Sequence, residues 1–289
     1  MKKKTQKLLF LLLAVIFVYG CGFLLRQLTD ARRAAESNAQ AQAIANIPPQ
    51  TAATQPLPET PSEPTVELPP ENTEPTQPEE LPDPYARSLQ KLDLASLQAV
   101  NPEVIGWIFL PDTEINYPLL HTADNSTYLH TAWDGTDSVS GSIFLETRSN
   151  PRFSDFNTII YGHNMRNGSM FASLMDYKNT DFFQEHTNLY IADKDGVRRY
   201  TVFSAYEAPV TSDTYRLYFK NTAQKQTALN FYLASSRQEP PLTPTVNDRI
   251  LTLSTCTGNG RYETRWVVQA VLSGFWANEK AGSPQETSF

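Results

Sequence analysis

Apolar and polar positions along this chain fall into three regimes. Residues 8–25, LLFLLLAVIFVYGCGFLL, are an unbroken apolar run without a charged side chain. From Pro48 to Pro84 periodicity disappears: the segment holds 12 of the chain's 21 prolines among Glu, Thr and Gln and has almost nothing to bury. Beyond it, Ser88–Val100 sets Leu89, Leu92, Leu94, Leu97 and Val100 at helical spacings, with Asp93 placed to cap a second short helix, so one or two helices open the next region. Short β-rich runs follow at 104–110 (VIGWIFL), 115–120 (INYPLL), 142–146 (SIFLE), 157–162 (NTIIYG), 188–193 (NLYIAD), 198–206 (RRYTVFSAY), 249–255 (RILTLST) and 265–274 (RWVVQAVLSG). Eight strands separated by turn signals predict a mainly β fold, a closed barrel or a sandwich.

The turn chemistry adds pairing information. PDT at 111–113 and DKDG at 193–196 are tight connections, proline pre-setting φ and glycine supplying positive φ, so the strands on either side are expected to be antiparallel neighbours. Between the sixth and seventh runs lies a long insertion, Glu207–Asp248, in which Thr222–Arg237 reads as a helix with Leu229, Tyr232 and Leu233 on one face. A long elaborated loop on such a scaffold shapes a binding site.

At ~1.5 Å per residue, the run 8–25 spans most of a ~30 Å hydrocarbon layer and reads as a membrane helix. Lys2, Lys3, Lys4 and Lys7 precede it and favour a cytoplasmic N-terminus and an exported remainder, against Arg26, Arg32 and Arg33 on the far side. A cleaved signal peptide is the alternative, but the run exceeds a usual h-region and no A-x-A site follows. The chain of 289 residues thus divides into a cytoplasmic tail and transmembrane anchor (1–29), a disordered spacer, first Ala/Gln-rich and then Pro/Glu/Thr-rich (30–84), one domain (85–276) and a C-terminal tail (277–289). Beyond residue 29 there are 19 basic against 31 acidic side chains, a balance of −12, which argues against nucleic acid as a partner.

Cys256 has no partner in its compartment, because Cys21, the only other cysteine, lies in the apolar run. An unpaired exported thiol is a liability unless it is buried or used. Use requires a base or cation to hold the thiolate, and donors for the oxyanion formed on an attacked carbonyl. Of the four histidines, His163 sits in IIYGHNMRNGSMF, after a buried-looking strand and at the head of a Gly/Asn-rich turn, where a side chain projects over a cleft edge. His121, His130 and His186 read as surface or packing residues. Arg265 opens a strand and has a fixed register, whereas Arg261 sits in the turn. No internal repeat, phosphate-binding glycine loop or metal-spaced His/Cys cluster is present, so neither metal nor cofactor is expected.

TLSTC, followed after a short turn by an arginine and a hydrophobic strand, with YGHN upstream, resembles the sortases, Cys-dependent transpeptidases of Gram-positive surfaces. The resemblance runs from about Leu89 to the C-terminus. NPEVIGWIFLPDTEINYPLL, DNSTYLH, SGSIFLE, IIYGHNMRNGSMF and the helix-bearing insertion are similar to the class B branch in order and spacing. It implies a closed eight-stranded sortase-type β-barrel with N-terminal helices and a helix-containing insertion between strands six and seven. It also implies Cys256 as nucleophile, His163 as general acid and base, Arg265 as oxyanion stabiliser, and Asn125, Leu129, Ser254 and Thr255 along the substrate groove. The implied reaction, of the cysteine hydrolase and peptidase class, cleaves a C-terminal sorting signal at a Thr carbonyl through an acyl-thioester. The acyl group then passes to a peptidoglycan precursor amine, and the partners are surface proteins bearing such signals.

Three alternatives stand beside it, two of them enzymes. A papain-like wall hydrolase presents cysteine before histidine, the reverse of the order here, and L,D-transpeptidases carry a different sequence around the thiol. A non-enzymatic tethered wall-binding domain accounts for the anchor and spacer but not for the cysteine, histidine and arginine together. For Asn125 and Leu129 the structural readings are a helix cap and a core leucine.

Overall fold

The computed structural model describes residues 2–47, 83–258 and 263–278. The Pro-rich stretch 48–82, Arg261 and the tail from 279 lie outside the described residues, so the expectations placed on them rest on sequence alone. Three helices come first, α1 (Lys2–Ile44), α2 (Pro84–Leu89) and α3 (Leu94–Val100). The starts of α2 and α3 are written in the sequence. Asp83 accepts from the backbone N–H groups of Tyr85 and Ala86 ahead of Pro84 at the first helical turn, and Asp93 accepts from the N–H of Ser96.

Eight strands follow: β1 (Val104–Phe109), β2 (Asn116–Leu120), β3 (Ile143–Leu145), β4 (Asn157–Tyr161), β5 (Asn188–Asp193), β6 (Gly196–Pro209), β7 (Ile250–Cys256) and β8 (Thr264–Ala277). They close into a barrel in the order β1-β2-β3-β4-β7-β8-β6-β5. The PDT and DKDG connections join antiparallel neighbours, as their composition requires. Two pairs, β2 with β3 and β4 with β7, are parallel, which no local turn signal announces. Short α4 (Thr180–Glu185) precedes β5, and α5 (Thr222–Ser235) lies in the insertion between β6 and β7, started by the Asn221 side chain on the N–H of Gln224.

Alternate residues fill the barrel, among them Ile160, Leu251, Leu253, Val268 and Ala270. The outer faces are covered too. Trp107, Phe109, Leu120 and Tyr190 pack under α2, α3 and the C-terminal end of α1, while Phe203, Ile250 and Val271 pack under α5. Strands covered on both sides read as nearly continuous apolar runs, which is why their alternation in the sequence is faint.

One boundary is corrected. The Ala/Gln-rich residues from 30 onward are not a disordered spacer in their first part: α1 continues through them, with Ala41, Ala45 and Ile47 buried against the barrel. Trp133 Nε1 donates to the carbonyl of Ser37 (2.8 Å), and Gln42 Nε2 to that of Asn116 (3.2 Å). Small alanines allow the close approach that a helix rich in long side chains would prevent. The uncharged run 8–25 lies on the same helix. Among the described residues no helix is long and apolar enough to cross a membrane, and the side chains at 8–10, 12, 23 and 24 lie outside them.

Candidate active site

The three strands that carry the candidate chemistry, β4, β7 and β8, are consecutive neighbours in the barrel wall. In the antiparallel β7–β8 pair Cys256 stands directly opposite Arg265. In the parallel β4–β7 pair Tyr161 stands opposite Ser254, and the N–H of Gly162 donates to the Ser254 carbonyl (3.3 Å). His163 follows two residues beyond that pair, next to Asn164, whose side chain bonds the Cys256 carbonyl, so the histidine, the thiol and the arginine come together at the ends of three neighbouring strands. Leu251 and Leu253 point into the barrel, so period-two alternation puts Ser254 and Cys256 on its outer wall.

The ends of the strands are tied together. Asn164 Nδ2 donates to the Cys256 carbonyl (3.0 Å), and Gly258, at φ 72, turns the chain away after the nucleophile strand. Gly162 has a packing reason: a Cβ there would run into Ile143 Cδ1 and meet the Phe171 ring at 2.8 Å. His163 is half-buried, with Nε2 2.8 Å from the carbonyl of Leu129. A carbonyl only accepts, so that nitrogen carries its proton and the lone pair of the neutral imidazole is on Nδ1. A backbone carbonyl thus orients this ring, the task a carboxylate performs in many triads.

A cleft of about 450 Å³ runs over this wall. All seven residues singled out from the sequence line it: Asn125, Leu129, His163, Ser254, Thr255, Cys256 and Arg265. Cys256 is exposed and unpaired, and Arg265 is half-buried, with Nη1 on the carbonyl of Thr264 (2.9 Å). The hydroxyl of Thr255 is buried on the opposite side of β7 from the thiol and finds no hydrogen-bond partner among the described residues. Asn125 is not a helix cap. The Asp124 carboxylate caps the one-turn 3-10 helix Thr127–Leu129 through the N–H groups of Ser126 and Thr127, while the Asn125 side chain is turned inward to Glu146 and Thr147. Leu129 packs partly against the outer core and also lines the cleft.

Phe144, Arg148, Tyr161, Gly162, Val210 and Tyr215 complete the lining and went unmarked in the sequence reading. Tyr215 comes from the insertion, where length was the only signal. Its phenol is 3.0 Å from the Ser254 hydroxyl. Burial pushes its pKa up; the bond to Ser254 and the charge of Arg265 oppose the rise, and Cys256 adds to it. His130 is also nearer the chemistry than an ordinary surface histidine, its ring centroid 6.4 Å from that of His163. Among the described residues no group of three or more His, Cys, Asp or Glu side chains could hold a metal ion.

Residues 108–273 match the family described as Sortase domain. The chain is 40% identical over 187 residues to Sortase B of Listeria monocytogenes, covering 62% of this chain and 74% of that protein. To Sortase B of Staphylococcus aureus it is 35% identical over 161 residues, covering 56% and 66% respectively. Among solved structures, the Staphylococcus aureus sortase B–substrate complex superposes with a TM-score of 0.59 at 33% identity, covering 62% of this chain and 84% of that one. Sortase B from B. anthracis in complex with AAEK1 gives 0.64 at 29%, covering 85% and 98%. With the barrel, the strand order and these matches in agreement, the chain belongs to the sortase family of transpeptidases, in its class B branch.

Proposed function

We propose that this protein is a membrane-anchored cysteine transpeptidase that cuts a C-terminal sorting signal at a Thr carbonyl and joins the surface protein to a cell-wall amine. The observation that carries the reading is the convergence of His163, Cys256 and Arg265 on one cleft, with Cys256 directly opposite Arg265. His163 Nδ1 takes the thiol proton, and the sulfur attacks the Thr carbonyl carbon. The resulting oxyanion is met by the Arg265 guanidinium, whose planar fork suits an oxygen anion. As the C–N bond breaks, the proton on Nδ1 passes to the departing amine and a thioester remains. The acceptor amine then attacks, gives its proton to Nδ1, and the thiolate leaves. One neighbouring solved structure is a sortase B–substrate complex and another is sortase B complexed with triglycine, a peptide with a free amine. These agree with a peptide donor and an amine acceptor.

Anchoring is proposed from residues 8–25, which carry no charge, and from the large apolar side chains that stand exposed on α1, including Leu11, Val15, Ile16, Phe17 and Val18. Nothing among the described residues covers them, and a bilayer would. Lys2, Lys3, Lys4 and Lys7 before the run favour an N-terminus inside and a barrel outside the cell, against Arg26, Arg32 and Arg33 on the far side.

The test is a peptide library of candidate sorting signals incubated with the protein in detergent, with and without a peptide amine. Mass spectrometry should find a thioester on Cys256 and amine-dependent ligated product, and Cys256→Ala should form neither while unfolding at the same temperature as the wild type. Cleavage retained by Cys256→Ala removes the nucleophile assignment. Product that is hydrolysed whether or not amine is present makes the enzyme a wall hydrolase instead.

A further inference from the structure

Immediately after β3, Glu146 is only 2% exposed and plays no part in the chemistry above. A buried carboxylate is costly unless it is met by donors. This one is met by Asn125 Nδ2 at 2.6 Å, Arg148 Nε at 2.8 Å and the Tyr161 hydroxyl at 3.2 Å. All three partners line the cleft and Glu146 itself does not. The carboxylate thus stands behind the cleft, with three lining side chains hung on it, Asn125 and Arg148 from the loop side and Tyr161 from β4. A carboxylate that served only the barrel would have no reason to draw all its side-chain partners from the cleft lining.

The consequences differ by partner. Asn125 Oδ1 accepts from the N–H of Thr147 (2.9 Å), so the bond to Glu146 settles which way the amide faces. The Arg148 side chain is 74% exposed. An arginine so open would sample many rotamers, but its Nε is held, and the Nη groups lie beyond that anchor. Tyr161 keeps its proton, because burial and then the Glu146 charge push its pKa well above the ordinary range.

We propose that Glu146 is a positioning residue for the peptide substrate, presenting Asn125 and Arg148 as prearranged donors to the backbone carbonyl oxygens of an extended peptide in the cleft. This rests on the transpeptidase reading and deepens it. Donors arranged in advance improve binding by reducing the ordering cost of association, and they act on substrate and transition state alike.

The experiment uses the full-length protein in detergent and a peptide that the wild type cleaves. Glu146→Gln keeps the size and removes the charge, and we expect KM to rise about tenfold or more with kcat within about threefold, the mark of lost uniform binding. Arg148→Ala should raise KM about fivefold, and adding it to Glu146→Gln should cost less than about twofold more, because Arg148 acts through the same anchor. Glu146→Asp, which keeps the charge on a shorter stem, should recover part of the loss. Should Glu146→Gln fail to fold, Asn125→Ala, Arg148→Ala and their double variant carry the test, with less than multiplicative effects on KM expected. Unchanged KM, kcat falling with thermal stability, or fully multiplicative effects overturn the proposal. A wild type that cleaves no peptide fails the functional reading itself; a cleaving wild type with unaffected variants fails only this one.

Discussion

The two sides of the cleft are built by different physics. One side is three strand ends, and backbone ladders place its residues: Cys256 opposite Arg265 across β7 and β8, and Tyr161, two residues before His163, opposite Ser254 across β4 and β7. The other side is the loop wall around Asn125, Leu129 and Arg148, where side chains hang on a buried carboxylate and on one another. A ladder fixes position through many bonds, each weakly dependent on side-chain identity, so changes there act through the reacting groups themselves. The loop wall depends on a few named atoms, so one substitution loosens several residues together. The two sides meet where the His163 ring bonds the Leu129 carbonyl and where the Tyr161 hydroxyl bonds the Glu146 carboxylate.

Arg265→Ala tests the ladder side most severely. It should lower kcat/KM by about 10²-fold, the size of one lost oxyanion donor, with unchanged thermal unfolding. Arg265→Lys should rescue poorly, since an ammonium cannot reproduce the fork. Arg261→Ala should stay within about tenfold, because the sequence sets Arg261 outside the β-rich run that Arg265 opens. If Arg261→Ala is the more damaging in the same assay, the ladder does not choose the arginine.

Gly162→Ala tests whether the ladder's geometry, rather than its residue types, supports His163. Its methyl would press on the Ile143 and Phe171 side chains, and where these buried groups do not yield, the chain carrying the histidine shifts. A displacement of that kind should cost about tenfold in kcat along with a lowered unfolding temperature. A wild-type kcat from this variant would mean that the base tolerates movement and that the comparison is drawn too sharply.

Tyr215→Phe is expected to have the smallest effect. It removes a neutral hydroxyl bonded to Ser254 at a water-accessible cleft, where solvent can replace the lost bond, so kcat/KM should change by less than about threefold. A tenfold loss would bring the phenol into the chemistry, since Arg265 and Cys256 both act on its charge.

Much of the fold was legible before any coordinate. All eight strands appear as β-rich runs, and Asp93, the PDT and DKDG turns and the insertion helix announce themselves through local chemistry. Cys256, His163 and Arg265 were legible because strand ends and turns bracket them. The parallel pairings were not, because their partners lie far apart in the chain: Asn157 pairs with Ile250 across nearly a hundred residues. The docking of α1 was also missed. Its alanines and glutamines resemble a linker until Trp133 from a distant loop and Asn116 from the start of β2 meet the helix.

The sequence by itself determined the residue types, the local elements and the candidate nucleophile, base and cation, because caps, turns and apolar runs are read over a few neighbouring positions. Only the tertiary structure decided which nitrogen of His163 keeps its proton and which lining side chains Glu146 supports. It alone decided that the end of α1 and the residues just after it, from Ser37 to Ile47, belong to the folded body. A carbonyl from position 129, a carboxylate from 146 and an indole from 133 act on residues remote in sequence, and such contacts exist only once the barrel has closed.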